Sequence, residues 1–258
     1  MRNVAKEIGI NRETTRLIVK EELGFKPYKI QKGHLLTDKM KEVRLERSRL
    51  LLRLSVGSKI FFSDEKIFTV ETAHNHQNNR IWSKKPPLSD EIITHSLHPS
   101  SVMVWGGICS TGKTPLVFVD PGVKINKNYY LHKILQGVLK PWAKRHFKQR
   151  SWIFQQDSAP AHKAKETQEW CEANFPGFIS SKEWPPFSPD LNPMDYSLWS
   201  ILEARACATP HKNLASLKRA LTREWNKISV DEVRTIVENF PKRLRLCINS
   251  KGGHFENS

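Results

Sequence analysis

No apolar run in this chain is long enough to cross a bilayer, and no stretch reads as an amphipathic anchor, so nothing points to a membrane. The N-terminus, MRNVAKEIGI, lacks the apolar core of a signal peptide. Cysteine is scarce: Cys109, Cys171, Cys207 and Cys247 form no C-x-x-C pair, and their spacing fits neither a zinc ribbon nor a disulfide framework. They read as reduced residues of a reducing compartment. There are no internal repeats, no low-complexity tract and no lysine cluster dense enough to read as a nuclear import signal. Acid is also in short supply, with 26 Asp and Glu against 42 Lys and Arg, a net charge of +16.

An excess of this size suits a polyanion such as DNA or RNA. It is uneven: residues 1–55 hold 14 Lys and Arg against 7 Asp and Glu, nearly half of the excess in the first fifth of the chain. Hydrophobic residues make up 38% of the 258, with eight Trp and twelve Phe, so the chain can bury a core and is not compositionally disordered.

Residues 3–22 read as two short helices around a Gly9-Ile10-Asn11 turn, with Asn11 capping the second. Arg12, Arg16 and Lys20 recur every four residues on one face, as on the recognition helix of a helix-turn-helix. A helical hairpin with a solvated basic face gives the same pattern. Residues 24–35 are a basic linker, and Thr37 caps a helix running to about Leu54. Strand patterning then begins, at 59–70, 102–108 and 115–119, the last two joined by a turn at 110–113. A long polar loop, 73–101, surrounds a short strand at Arg80-Ile81-Trp82. A helix at 129–147, a strand at 152–156, a helix at 164–174 and a short strand at 178–181 follow. After a Pro-rich loop come helices at about 193–205, 214–228 and 230–249. The expected class is α/β: one mixed sheet flanked by helices, preceded by a partial helix-turn-helix. The expected divisions are a DNA-binding remnant at 1–28, a basic linker and helix at 29–57, and a catalytic domain at 58–258.

Three acids sit where acids are locally unexpected. Asp64 interrupts the hydrophobic strand KIFFSDEKIFTV, Asp157 directly follows the apolar WIFQQ, and Asp195 comes just after Asn192-Pro193. A charge at such places is costly to bury without a partner. Acids meeting at one sheet edge repel each other unless a cation lies between them. Oxygen ligands favour magnesium or manganese. Two ions about 3.5–4 Å apart suit phosphodiester hydrolysis and transesterification. Taken singly, each acid also has an ordinary reading: Asp64 as half of an ion pair, Asp157 as a cap near Ala161, Asp195 at a helix N-terminus. Glu65 should face away from Asp64 across the strand. Asp190 sits before the helix as a loop stabiliser, and His162 is a candidate outer contact of the metal or of DNA phosphate.

The phrases FFSDEKIF, VMVWGGI, WIFQQDSAPAH, SPDLNPMDYSLW and FPKRLRLCINSKGGHFE resemble the mariner superfamily of transposases over residues 2–256. The resemblance implies a ribonuclease-H-like fold with Asp64, Asp157 and Asp195 as the catalytic, metal-binding acids. It implies magnesium or manganese, in two ions, and cleavage and joining of DNA at transposon ends in the nucleus. It further implies a homodimer, with Arg80, Lys84 and Lys85 in a region that binds DNA and joins subunits. Active relatives begin with two helix-turn-helix units, and this sequence starts within the second. Weak reading of specific ends is therefore expected, together with salt-sensitive phosphate contacts. A non-catalytic DNA-binding or dimerising derivative, acting as a repressor, is the alternative.

Overall fold

The computed structural model describes residues 2–25, 34–72, 96–97, 99–120 and 122–256. Arg80, Lys84 and Lys85 lie outside the described residues, as does the short strand expected at 80–82. The chain divides into two compact units, Met1–Leu35 and Leu36–Ser258.

In the smaller unit, α1 (Arg2–Glu7) and α2 (Arg12–Leu17) flank a turn in which Gly9 takes φ +68°. Asn11 Oδ1 accepts from the Glu13 N–H at 2.8 Å and so satisfies one of the helix's orphan donors. The helix does not run on in α geometry to Glu22. Ile18–Glu22 is wound as a π turn, with Leu23 N–H bonding the Ile18 carbonyl. Lys20 therefore stands in a different winding from Arg12 and Arg16.

The larger unit opens with α3 (Asp38–Ser55), capped by Thr37 Oγ1 and followed by Gly57 at φ +73°. The sheet holds β1 (Ile60–Thr69), β2 (Ser101–Cys109), β3 (Gly112–Lys113), β4 (Val117–Phe118) and β5 (Ile153–Gln155). The spatial order is β3-β2-β1-β5, with β4 also on β2; β1 runs antiparallel to β2 and parallel to β5. The turn before β3 is only Ser110-Thr111, because Gly112 and Lys113 already pair with Cys109 and Ile108. The strand expected at 178–181 is reduced to one parallel bridge, Phe154 to Phe178.

Helices cover both faces, so the side chains of β1 from Ile60 to Asp64 are buried whichever way they point. Phe61 packs with Trp105, Tyr130, Leu139, Trp142 and Cys171. Trp105 stands on β2; the others come from a π-wound Tyr130–Leu139 that continues α4 (Lys127–Tyr129), from α5 (Lys140–Phe147) and, after a short α6 (Pro160–Lys163), from α7 (Lys165–Asn174). Phe62 and Phe68 pack on the other face with Trp199, Leu221, Trp225 and Phe240. That layer is a π-wound Met194–Leu198, α8 (Trp199–Ala206), α9 (Leu214–Lys227), α10 (Val230–Glu238) and α11 (Phe240–Asn249). The single helix expected over 230–249 is two. Pro241, in the first turn of α11, has no N–H to continue α10 and is tolerated only at a helix start. All four cysteines are free and buried.

Candidate active site

Asp64 occupies the middle of β1, paired across the ladder with Gly106 of β2. A Cβ on Gly106 would come within 3.2 Å of the Trp199 ring, so the glycine makes the space in which that indole lies against the strand. Trp199 Nε1–H donates to Asp64 Oδ2 at 2.6 Å. Trp199 in turn stands 6.1 Å from the Trp225 ring and 5.8 Å from Phe68. Only 7% of Asp64 is exposed. Burial, then the neighbouring charges of Asp195 and Glu65, hold its carboxyl well above the usual carboxylate range, against the pull of the Trp199 bond.

Asp195 sits in the first turn of the helix that opens at Pro193. Asn192 Oδ1 caps this turn by accepting from the Met194 N–H at 3.1 Å, and Asn192 Nδ2 reaches back to the Ser63 carbonyl at 3.5 Å. The cap thus ties the start of this helix to the strand residue beside Asp64. Asp195 comes within hydrogen-bonding reach of Asp64, and burial pushes it up to about 6 with a further contribution from the Asp157 charge.

Asp157 follows β5. Its Oδ1 accepts from Ala159 N–H at 2.8 Å and lies 2.5 Å from His162 Nδ1. Its side chain is 43% exposed. Burial works against ionisation here, but the hydrogen bond and charge of His162 outweigh it and hold Asp157 below the ordinary value. His162 is buried, with Nε2 at 3.4 Å from Glu65 Oε1 and its ring 4.1 Å from Tyr130. Burial disfavours its charge, but Glu65 and Asp157 overcome this and raise it to about 10, so the imidazole is a cation between two carboxylates. Tyr130 completes this side by donating its hydroxyl to Gln156 Oε1 at 2.6 Å. Glu65 therefore faces the Tyr130 layer while Asp64 faces Trp199, the opposite orientation expected of strand neighbours.

The structure thus brings Asp64 and Asp195 side by side, with Asp157 near enough for its charge to act on both. Asp190 is elsewhere employed: both its carboxylate oxygens meet the buried Arg44, at 2.7 and 3.1 Å. Arg12, Arg16 and Lys20 are exposed in the smaller unit, with Arg16 paired to Glu13 at 2.8 Å and Lys20 near Glu21 at 3.7 Å. Trp199, which orients Asp64, was missed in the sequence; its only signal there is its place in SPDLNPMDYSLW.

A divalent cation fits the donor set in part. The buried Asp64 and the half-buried Asp195, adjacent carboxylates whose ionisation is opposed by burial and by neighbouring negative charge, are hard oxygen ligands that a cation would relieve. Among the described residues, however, no three His, Cys, Asp or Glu side chains already form a cage for an ion. Asp157 is turned onto His162 instead.

The sequence pattern of the DDE superfamily endonucleases matches residues 59–218. The chain belongs to that family. Among DDE relatives, the Tcb2 transposase of Caenorhabditis briggsae is 32% identical over 74% of this chain and 67% of its own length. The Tcb1 transposase of the same organism is 34% identical over 59% of this chain, and the match spans about half of that relative, 53%. The Mos1 transposase, solved as a paired-end complex with the left transposon end, superposes with a TM-score of 0.82. The superposition covers 99% of this chain and 75% of Mos1 at 19% identity. A second Mos1 structure, a paired-end complex with Mn, gives the same TM-score at 20% identity. At that identity the likeness establishes the fold: this DDE chain carries the ribonuclease-H-like sheet and helical layers of the Mos1 catalytic domain.

Proposed function

We propose that this chain is a transposase that cuts DNA at transposon ends and joins them to a target, using Asp64, Asp157 and Asp195. The observation that carries the reading is the pairing of the Asp64 and Asp195 carboxylates, within reach of the Asp157 charge, in a chain of the DDE family. These three residues would hold magnesium or manganese, and the chemistry favours two ions. Bound there, the metal would polarise a phosphodiester oxygen and make an oxygen nucleophile available at neutral pH. A cation held there would favour the ionised forms of Asp64 and Asp195, offsetting the burial and mutual repulsion that raise both carboxyls. Trp199 fixes Asp64 through Oδ2. His162 fixes Asp157 through Oδ1, which leaves Oδ2 for a cation, and Glu65 steadies the far nitrogen of the imidazole. Water is the nucleophile for cleavage, and the freed 3′-hydroxyl is the nucleophile for joining.

Arg12, Arg16 and Lys20, with Arg80, Lys84 and Lys85, are proposed to contact DNA, and the working form is a homodimer in the nucleus. The divisions at 1–28, 29–57 and 58–258 follow these roles. In the test, the chain is incubated with a labelled transposon-end oligonucleotide and manganese or magnesium. Nicking that requires the metal and falls to background in Asp157→Ala is expected. Equal nicking by the variant, or none by a folded wild-type chain that still binds the DNA, would refute the catalytic reading.

A further inference from the structure

Helix α9 turns Leu217, Ala220, Leu221 and Trp225 into the core and leaves Lys218, Arg219, Thr222, Arg223 and Asn226 lining an open concavity on its outer side. Among the described residues, no acid lines that concavity. The only acid on the helix, Glu224, is engaged by Arg223 at 2.8 Å and Lys227 at 3.0 Å. Lys218 stands over the Phe118 ring at 5.6 Å, and neither it nor Arg219 makes an ion pair among the described residues. Unpaired cations gathered on one helix face gain little internally and repel one another, which a polyanion relieves.

From this face we infer a second DNA-docking surface, one that grips the phosphate backbone of duplex DNA away from the bond being cut. Positions 219 to 226 span about 10 Å of helix axis at ~1.5 Å per residue. That is about three base-pair rises of ~3.4 Å measured along the duplex axis, enough to reach two neighbouring phosphates of one strand. Thr222 and Asn226 add neutral donors between the cations, the mixture that phosphate oxygens accept. The surface is set apart from the acids. Asp64 is bonded to Trp199, Trp199 meets Trp225, and Arg219 and Arg223 lie on the outer side of the helix that carries Trp225, with Lys218 at its flank over Phe118. DNA held here is positioned without touching the reacting phosphate, and the surface reads no sequence. This inference rests on the proposed function and deepens it.

The test compares the full chain with Lys218→Ala/Arg219→Ala on a random-sequence duplex over a range of salt. The dependence of log affinity on log salt should become shallower by about two, at ~0.9 for each phosphate that is no longer neutralised. Thr222→Lys, which adds a cation to the same face, should steepen it by about one. Metal-dependent nicking at saturating DNA should be unchanged in both variants, and circular dichroism melts should overlay the wild type. An unchanged salt slope in both variants overturns the inference, as does a loss of binding seen with polyglutamate but not with duplex DNA. Failure of the catalytic reading would show only in the nicking assay, with the salt slopes left intact.

Discussion

Asp195 carries a testable electrostatic cost. Its carboxyl is pushed from an ordinary 3.8 up to about 6, so between those values the folded protein binds more protons than the unfolded chain. Stability then falls as pH rises through that window, and the full cost is present above pH 6. Asp64, shifted in the same direction, adds to it. His162 does not offset this, because its raised value gives stability that is complete below its ordinary 6.5 and is lost only as pH climbs towards 10. Asp195→Asn should therefore be more stable than the wild type at pH 7 without divalent cation. The gain should be on the order of 3 kcal/mol at most, given ~1.4 kcal/mol per pKa unit. The advantage should shrink towards pH 4, and manganese should raise the wild-type melting temperature more than the variant's. Thermal melts with chelator and with manganese check this; a variant less stable than the wild type at pH 7 in chelator would contradict it. The sequence made Asp64 and Asp157 conspicuous because they interrupt or end an apolar strand, and Asp195 because it follows the cap and first-turn proline Asn192-Pro193. It did not disclose Trp199 or the His162 ion pair with Glu65, since both depend on which strand face meets which helix. Gly106 held the clue, as a glycine inside a strand where a neighbouring side chain needs the room.

At the scale of elements, α3 is joined to the far end of the chain. Arg44 is completely buried, and its guanidinium bonds Asp190, Ser188 Oγ at 2.5 Å, the Phe187 carbonyl at 3.1 Å and the Gly252 carbonyl at 2.9 Å. One side chain thus ties α3 to the loop that leads into Asp195 and to the C-terminal SKGGH turn. Gly252 has φ +80°, and a Cβ on it would lie 2.0 Å from the Lys41 carbonyl, so only glycine lets that turn reach the helix. Arg44→Ala strands Asp190, whose side chain is 12% exposed, and should cost about 3–5 kcal/mol. Arg205→Ala breaks a pair exposed by 39% on each side and should cost less than about 1 kcal/mol. Urea midpoints of the two variants make the comparison, and equal costs would show that the Arg44 cluster is not a clamp. Most helices and strands were legible from period and caps, as at Thr37, Asn11 and Asn192. Boundaries failed where long-range pairing decides, as at Gly112-Lys113, or where a proline inside an otherwise continuous pattern splits it, as at Pro241.

For the whole molecule, the two units differ in what can hold them. Residues 36–258 contain both packed layers, from Leu51 and Phe62 through Trp225 and Cys247 on one face and from Phe61 to Phe175 on the other. Residues 1–35 contribute two six-residue helices, and their described buried side chains are Ala5 and Thr15. Segments below ~40 residues rarely bury enough apolar surface to fold alone. The nucleic-acid charge is nonetheless shared, because the larger unit keeps the acids and the basic face of α9. A fragment of residues 36–258 should therefore unfold cooperatively within a few degrees of the full chain and bind random duplex DNA with strong salt dependence. It should retain metal-dependent nicking, whereas a peptide of residues 1–35 should show no cooperative transition. Calorimetry, salt titrations of DNA binding and the nicking assay report these three properties separately. A fragment that folds but fails to nick would mean that residues 1–35 are needed to present DNA to the acids, because among the described residues the contacts that orient Asp64, Asp157 and Asp195 lie within 36–258.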